Sequence, residues 1–137
     1  MYLLDTVVFS EFFKRQPNRE FIQWLNDKKK DLLFLSIITI GEVERGIEIQ
    51  RRRNPAFAEE LHAWLERSLD IYTDRILLAT TNIARRWGRL SAVLGHTNVD
   101  LLIAATALEH GLTVATRNVR HFAPTGVAVE NPFERLP

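Results

Sequence analysis

The chain has 137 residues, 26% of them charged and 46% hydrophobic, which suits one compact core in a soluble protein. No apolar run reaches the roughly 18 residues of a membrane-crossing helix, and the lack of cysteine excludes disulfides, thiolate metal sites and thiol catalysis. A net charge of +1 excludes recognition of a polyanion by total charge, so any such binding must come from grouped basic residues.

The start, Met1-Tyr2-Leu3-Leu4-Asp5, lacks the basic and apolar stretches of a secretory leader, so a cytoplasmic protein without membrane contact is expected. Tyr2-Leu3-Leu4 reads as a short strand ending in Asp5. Either Asp5 or Thr6 can cap the next helix, in which Val8, Phe9, Phe12 and Phe13 recur at helical spacing. Asn18 opens a second helix with Phe21, Ile22 and Leu25 inward, and Lys28-Lys29-Lys30-Asp31 breaks it. Residues 32–36 form a continuous apolar run, the mark of a strand covered on both faces.

A third helix is expected from near Thr39 to about Arg52. Ile40, Val43 and Ile47 form its buried stripe and Glu42 lies beside it, whereas Glu44 and Glu48 point to solvent, with Arg52 paired to Glu48. Pro55 starts a fourth helix with Phe57, Leu61, Trp64 and Leu65 on its apolar face. Ile71-Tyr72 reads as a short strand, and residues 74–94 as a helix with Ile76, Leu77, Ala84, Trp87, Leu90 and Leu94 inward. Phe12, Trp24, Phe57 and Trp64 are more aromatics than these helices need for a small core, so they also suit a dimer surface.

Residues 101–108 are apolar on every face apart from Thr106, as in a helix enclosed by a domain. Asp100 stands at its start, where Thr97-x-x-Asp100 has the spacing of a capping box, and Gly111 ends it. Residues 112–115 and 127–129 are the last two strands, separated by the polar turn Thr116-Arg117-Asn118.

Strands alternating with helices predict an α/β fold, an α/β/α sandwich around a central, mostly parallel sheet. Sites in such sheets form beyond the carboxyl ends of strands, where strand order reverses. Asp5, Glu42, Asp100, Thr116 and Asn118 all belong to that rim. Three carboxylates gathered there resist ionising, and a divalent cation removes the penalty. Oxygen donors, with no cysteine and no histidine pair at i,i+4, favour Mg²⁺ or Mn²⁺. Such an ion polarises a phosphoryl oxygen and acidifies a bound water. Spacing alone leaves a plainer reading open, in which Asp5 and Asp100 cap helices and Glu42 is half-solvated.

Four blocks carry a resemblance: residues 1–6 (Met-Tyr-Leu-Leu-Asp-Thr), residues 36–46 around Gly41-Glu42-Val43, residues 100–107 from Asp100, and residues 116–122 from Thr116 to Phe122. In this order they resemble a PIN-domain protein over essentially the whole chain, residues 1–137. With the ending Val129-Glu130-Asn131-Pro132-Phe133, the chain is most similar to the VapC toxins of type II toxin–antitoxin systems, the FitB-like branch in particular. The resemblance implies a Mg²⁺-dependent endoribonuclease that hydrolyses RNA phosphodiester bonds, with Mn²⁺ as a substitute. It also implies a homodimer, a cognate antitoxin that blocks the site, and DNA contact only through that antitoxin. Asp5, Glu42 and Asp100 carry over as catalytic, metal-coordinating acids and Asn118 as a further catalytic position. Thr6, Thr116 and His121 are accessory candidates, and Arg45, Arg117 and Arg120 are candidates for RNA contact.

Two positions depart from the family pattern. Val7 stands where members commonly carry Asn, and His121 where an acid often precedes the Phe. They motivate a rival reading, a cleavage-impaired PIN protein that acts by binding RNA or only within a DNA-bound antitoxin complex. A receiver-type phosphorylation domain would need a lysine near the last strand, and none follows Lys30.

Overall fold

The strand β1 (Tyr2–Leu4) lies at the centre of the sheet in a computed structural model of the chain, which describes residues 1–134. Residues 135–137, the end of the expected domain span, lie outside the described residues. Successive residues of a strand face opposite sides of its sheet, and β1 uses both. Leu4 packs with Phe9, Phe21, Leu35, Ile47 and Leu65 on one side, whereas Leu3 packs with Ile103, Ala104, Val114 and Phe122 on the other. Both leucines are fully buried. A strand that must be apolar on both faces is the physical reason the opening residues read as a continuous hydrophobic run.

The other strands are β2 (Leu33–Ser36), β3 (Ile76–Leu77), β4 (Thr113–Ala115) and β5 (Val129–Glu130). All pair in parallel, in the order β3-β2-β1-β4-β5. The helices are α1 (Thr6–Glu11), α2 (Arg19–Asn26), α3 (Ile37–Arg53), α4 (Pro55–Ile71), α5 (Thr81–Leu94), α6 (Asp100–His110) and α7 (Val119–Phe122). Helices α1 to α4 supply the core on the Leu4 side, and α6 with α7 supply it on the Leu3 side. The expected α/β/α sandwich is the fold found.

The chain steps outward from β1 through β2 to β3, then returns to lay β4 along the opposite edge of β1. Strand order therefore reverses between β1 and β4, with Leu4 level with Ala115. The Asp5 amide donates to the Ala115 carbonyl at 3.1 Å and carries that pairing one residue past the strand. Asp5 and Thr116 are thereby fixed side by side.

Several expectations are corrected. The third strand is not Ile71-Tyr72. Helix α4 runs to Ile71, and the strand is Ile76–Leu77, a two-residue pair too short to show any period. Arg75 locates it by donating to the carbonyls of Lys30, Leu33 and Ile71. The next helix accordingly starts at Thr81 rather than Asp74, capped by the Thr80 side chain, with Ile83 buried and Ala84 exposed. Helix α3 begins at Ile37 because the Ser36 hydroxyl accepts from the Ile38 amide, two residues before the expected start. The last strand is Val129–Glu130, not residues 127–129. Glu48 pairs with Arg51 at 2.8 Å rather than with Arg52, because Arg51 also reaches Glu59 on α4 at 2.7 Å.

The aromatics expected at a dimer surface are largely engaged within the chain. Trp64 is buried against Phe9 and Phe13, Phe12 packs edge-on to Phe21, and Phe57 packs edge-on to Phe13. Trp24 packs against Tyr2 and donates its indole N–H to Glu130 at 2.9 Å.

Candidate functional site

Asp5 is the residue on which the site turns. It caps α1: its Oδ1 accepts the Val8 amide at 2.9 Å, and its Oδ2 accepts the Thr116 hydroxyl at 2.6 Å. Only 3% of the residue is exposed. Burial pushes its pKa above the ordinary carboxylate value; the bonds from Thr116 and Val8 pull the other way, and the nearby charges of Asp100 and Glu42 add to the upward push. The capping role that a plain reading gives Asp5 is therefore real. It uses one carboxylate oxygen and leaves unexplained why an acid, rather than a serine, is buried between two other acids.

Glu42 sits in the second turn of α3 and is half-buried. Its Oε1 accepts the Thr6 hydroxyl at 2.5 Å, and that hydroxyl also lies 3.4 Å from the buried Thr39 hydroxyl. Since Thr6 directly follows Asp5, the first residue of α1 ties β1 to the acid on α3. Thr6 thus has a defined place in the site, as expected of an accessory residue. Thr39 was not foreseen; its signal is a threonine one turn before Glu42, on the same side of α3.

Asp100 is the first residue of α6, whose N-terminal dipole favours a carboxylate there. The anticipated capping box with Thr97 does not form. The Asp100 amide instead donates to the Asn98 side chain at 2.9 Å, which leaves the Asp100 carboxylate free of capping duty. Its Oδ2 lies 3.2 Å from His121 Nδ1, and that histidine is well exposed. Asp5 thus feels the charges of both Asp100 and Glu42. Among the described residues, however, no three acids or histidines stand close enough to hold an ion in common as they are placed. The hydrogen bonds to Thr6 and His121 draw Glu42 and Asp100 to separate partners.

The fourth sequence block divides. Thr116 is fully buried and belongs to Asp5; its hydroxyl also accepts the Asn118 amide at 2.9 Å, so the turn after β4 is locked by the side chain that holds the acid. The side chain of Asn118 has no hydrogen bond among the described residues. It lines a cavity of about 410 Å³ together with Arg117, Arg120, His121, Asn131 and Glu134. Arg45 is not brought there. It lines a different hollow along α3 with Glu48, Ile49, Arg52 and Arg53.

One buried acid escaped the sequence reading. Glu11, only 2% exposed, accepts the Asn18 amide at 2.9 Å and pairs with Lys14 Nζ at 2.9 Å. Burial pushes its pKa up, but the bonds from Lys14 and Asn18 and the charges of Lys14 and Arg117 outweigh it and hold the carboxyl below its ordinary value. The available signal was Lys14 three residues later, which reads equally as a surface pair.

Comparison with known proteins agrees over the same span. A family model described as the PIN domain matches residues 2–126. Toxin FitB of Neisseria gonorrhoeae is 37% identical over 139 residues, covering 97% of this chain and 99% of that protein. VapC ribonuclease Y4jK of Sinorhizobium fredii is 32% identical over 143 residues, covering 98% and 99%. Among solved structures, FitAB bound to an IR36 DNA fragment superposes with a TM-score of 0.87 at 34% identity, covering 100% of this chain and 99% of that one.

Proposed function

This chain belongs to the PIN-domain family, and on that premise we propose that it is the toxin of a type II toxin–antitoxin pair, a metal-dependent endoribonuclease that hydrolyses RNA phosphodiester bonds. Relatives named as a toxin and as a VapC ribonuclease, each aligned over nearly its full length, support the reading. The observation that carries it is Asp5, a carboxylate whose ionisation is opposed first by burial and then by the charges of Asp100 and Glu42, a penalty that a cation would relieve. The donor set fits a hard divalent ion, being oxygen throughout. Asp5, Glu42 and Asp100 would hold it, Mg²⁺ or Mn²⁺, once the Glu42 and Asp100 side chains turn from Thr6 and His121 toward Asp5. When bound, such an ion supplies Lewis-acid polarisation of a phosphoryl oxygen and a more acidic water.

The chain's own residues prepare this. Thr116 and the Val8 amide fix both oxygens of Asp5, Thr6 orients Glu42, and the Asn98 turn frees the Asp100 carboxylate from capping. Asn118, held by its amide to Thr116, presents a side chain beside this rim. His121, in contact with Asp100, would meet a phosphate of the substrate, a role its exposure and its position at this acid support. The cognate antitoxin blocks this rim and carries the DNA contact, a view supported by the match to FitAB bound to DNA. The active toxin is a homodimer in the cytoplasm.

The test is RNA cleavage by antitoxin-free, refolded protein with Mg²⁺ or Mn²⁺. Asp100→Ala abolishes cleavage if the assignment holds; full activity in that variant removes Asp100 from the chemistry. A second reading, RNA binding without turnover, is favoured by the bond from His121 that occupies one oxygen of Asp100. Tight RNA binding with no cleavage in either metal decides for it.

A further inference from the structure

The cavity after β4 has a composition that the cleavage reaction alone does not require. Its volume, about 410 Å³, falls within the range of small-ligand sites, roughly 300–1,000 Å³. His121 lines it and also touches Asp100, so the cavity adjoins the acid rim. A nucleotide next to a bond cut at that rim would enter it.

Three features limit what fits. The Arg117 guanidinium carbon lies over the Phe133 ring, 3.8 Å from its centroid, a contact that restrains the group while its N–H donors remain available. The Asn131 side-chain oxygen accepts the Phe133 amide at 2.9 Å, which orients the side chain and leaves its NH₂ to donate. The cavity's single carboxylate among the described residues is Glu134, an acceptor only. Planar donors and a single carboxylate in one cavity, with Asn131 and Glu134 in the same turn, are complementary to a base that carries both acceptors and donors on its edges. Guanine does so, with O6 and N7 as acceptors and N1–H and N2–H₂ as donors. Adenine and cytosine place an amino group where guanine has O6, and uracil lacks the second donor.

We infer that this cavity is a guanine-selective subsite for the nucleotide flanking the scissile phosphate of single-stranded RNA, with Arg117 and Asn131 reading the acceptor edge and Glu134 the N1–H and N2–H₂ donors. The inference rests on the ribonuclease reading for its substrate. It adds a sequence preference that this reading does not contain.

The test uses the full-length wild-type protein, free of antitoxin, with single-stranded RNA oligonucleotides that carry G, A, U, C or inosine at one position in an otherwise fixed sequence. Two readouts are taken: cleavage position and rate with Mn²⁺ or Mg²⁺, and fluorescence anisotropy in EDTA. The expected result is a tenfold to hundredfold preference for G at one position adjacent to the cut, consistent with the roughly 1–3 kcal/mol of a good bidentate pair. Inosine, which lacks the 2-amino group, loses most of it. Glu134→Gln and Arg117→Ala, both at exposed positions, reduce the preference at that position alone, chiefly through KM. A G preference that persists in both variants overturns the assignment, as does wild-type cleavage with no base preference beside the cut. If no RNA is cut in either metal, the ribonuclease reading fails, and anisotropy still judges the subsite: a G preference lost in Glu134→Gln upholds it, and equal binding of all oligonucleotides overturns it. Variants that weaken antitoxin binding and leave RNA preference unchanged assign the cavity to the protein partner instead.

Discussion

Two buried acids, Asp5 and Glu11, respond to folding in opposite directions, and this separates a functional carboxylate from a structural one. Folding raises the Asp5 pKa, so the stability linked to this group is present below the ordinary carboxylate range and lost as pH climbs through the raised folded value. Folding lowers the Glu11 pKa, so its contribution is present above the ordinary value and lost as pH falls through the lowered one. Without metal, ionisation of Asp5 opposes the fold while that of Glu11 supports it. Asp5→Asn, which keeps an oxygen for the Val8 amide, should therefore stabilise the metal-free protein by about 0.5–2 kcal/mol while abolishing cleavage. Glu11→Gln should cost about 1–3 kcal/mol, since the Lys14 charge and the Asn18 amide lose an ionised partner. Urea melts at a series of pH values in EDTA check both. A destabilised Asp5→Asn would place that acid with Glu11 as a structural group.

At the scale of elements, what was legible depended on how many residues carried each signal. Helix α6 was plain because six of its residues are buried, and Gly111 ends it with φ at 66°, a conformation that glycine adopts without a Cβ penalty. The central strand was legible from a run apolar on both faces. Strand β3 was not, because two residues cannot show a period and its position depends on Arg75 reaching back to carbonyls more than forty residues earlier. Asp5 and Asp100 stand out because one follows a strand and the other opens a helix, whereas Glu42, in the second turn of α3, shows only by lying beside the buried stripe. Their hydrogen-bond partners were only partly legible: Thr116 stood in a recognisable block, Thr39 shows only as a threonine one turn before Glu42, and Asn98 acts through a contact that no spacing fixes. The two-residue error at the start of α3 has a consequence for the site. It hid Ser36 as the cap that sets where Glu42 falls on its helix. Ser36→Ala should cost about 1 kcal/mol, within the usual range of a lost N-cap. It should also lower cleavage more than an equal destabilisation elsewhere, for instance Thr80→Ala at the cap of α5. Thermal melts with matched RNA cleavage rates measure the difference; equal losses in the two variants would show that the Ser36 cap supports α3 without positioning Glu42.

For the molecule as a whole, a net charge of +1 means that attraction to RNA must be local. The basic residues are distributed accordingly: Arg117 and Arg120 border the cavity after β4, and Arg45 lies with Arg52 and Arg53 along α3. The arginines thus form two local cationic groups, of which the one after β4 adjoins the acid rim through His121. If Arg45 and Arg120 each meet one phosphate while Arg117 reads the base, affinity for single-stranded RNA in EDTA should fall with salt at a logarithmic slope of about −1.4, which is roughly a sevenfold loss between about 50 and 200 mM. Arg120→Ala and Arg45→Ala should each reduce the slope by about 0.7, and the double variant by twice that, because counterion release is additive over separated contacts. A slope that stays at its wild-type value in Arg45→Ala, with a reduced one in Arg120→Ala, would confine the RNA path to the β4 side of the sheet. An unchanged slope in both would mean that the grouped arginines serve another surface, and that RNA reaches the acids without their help.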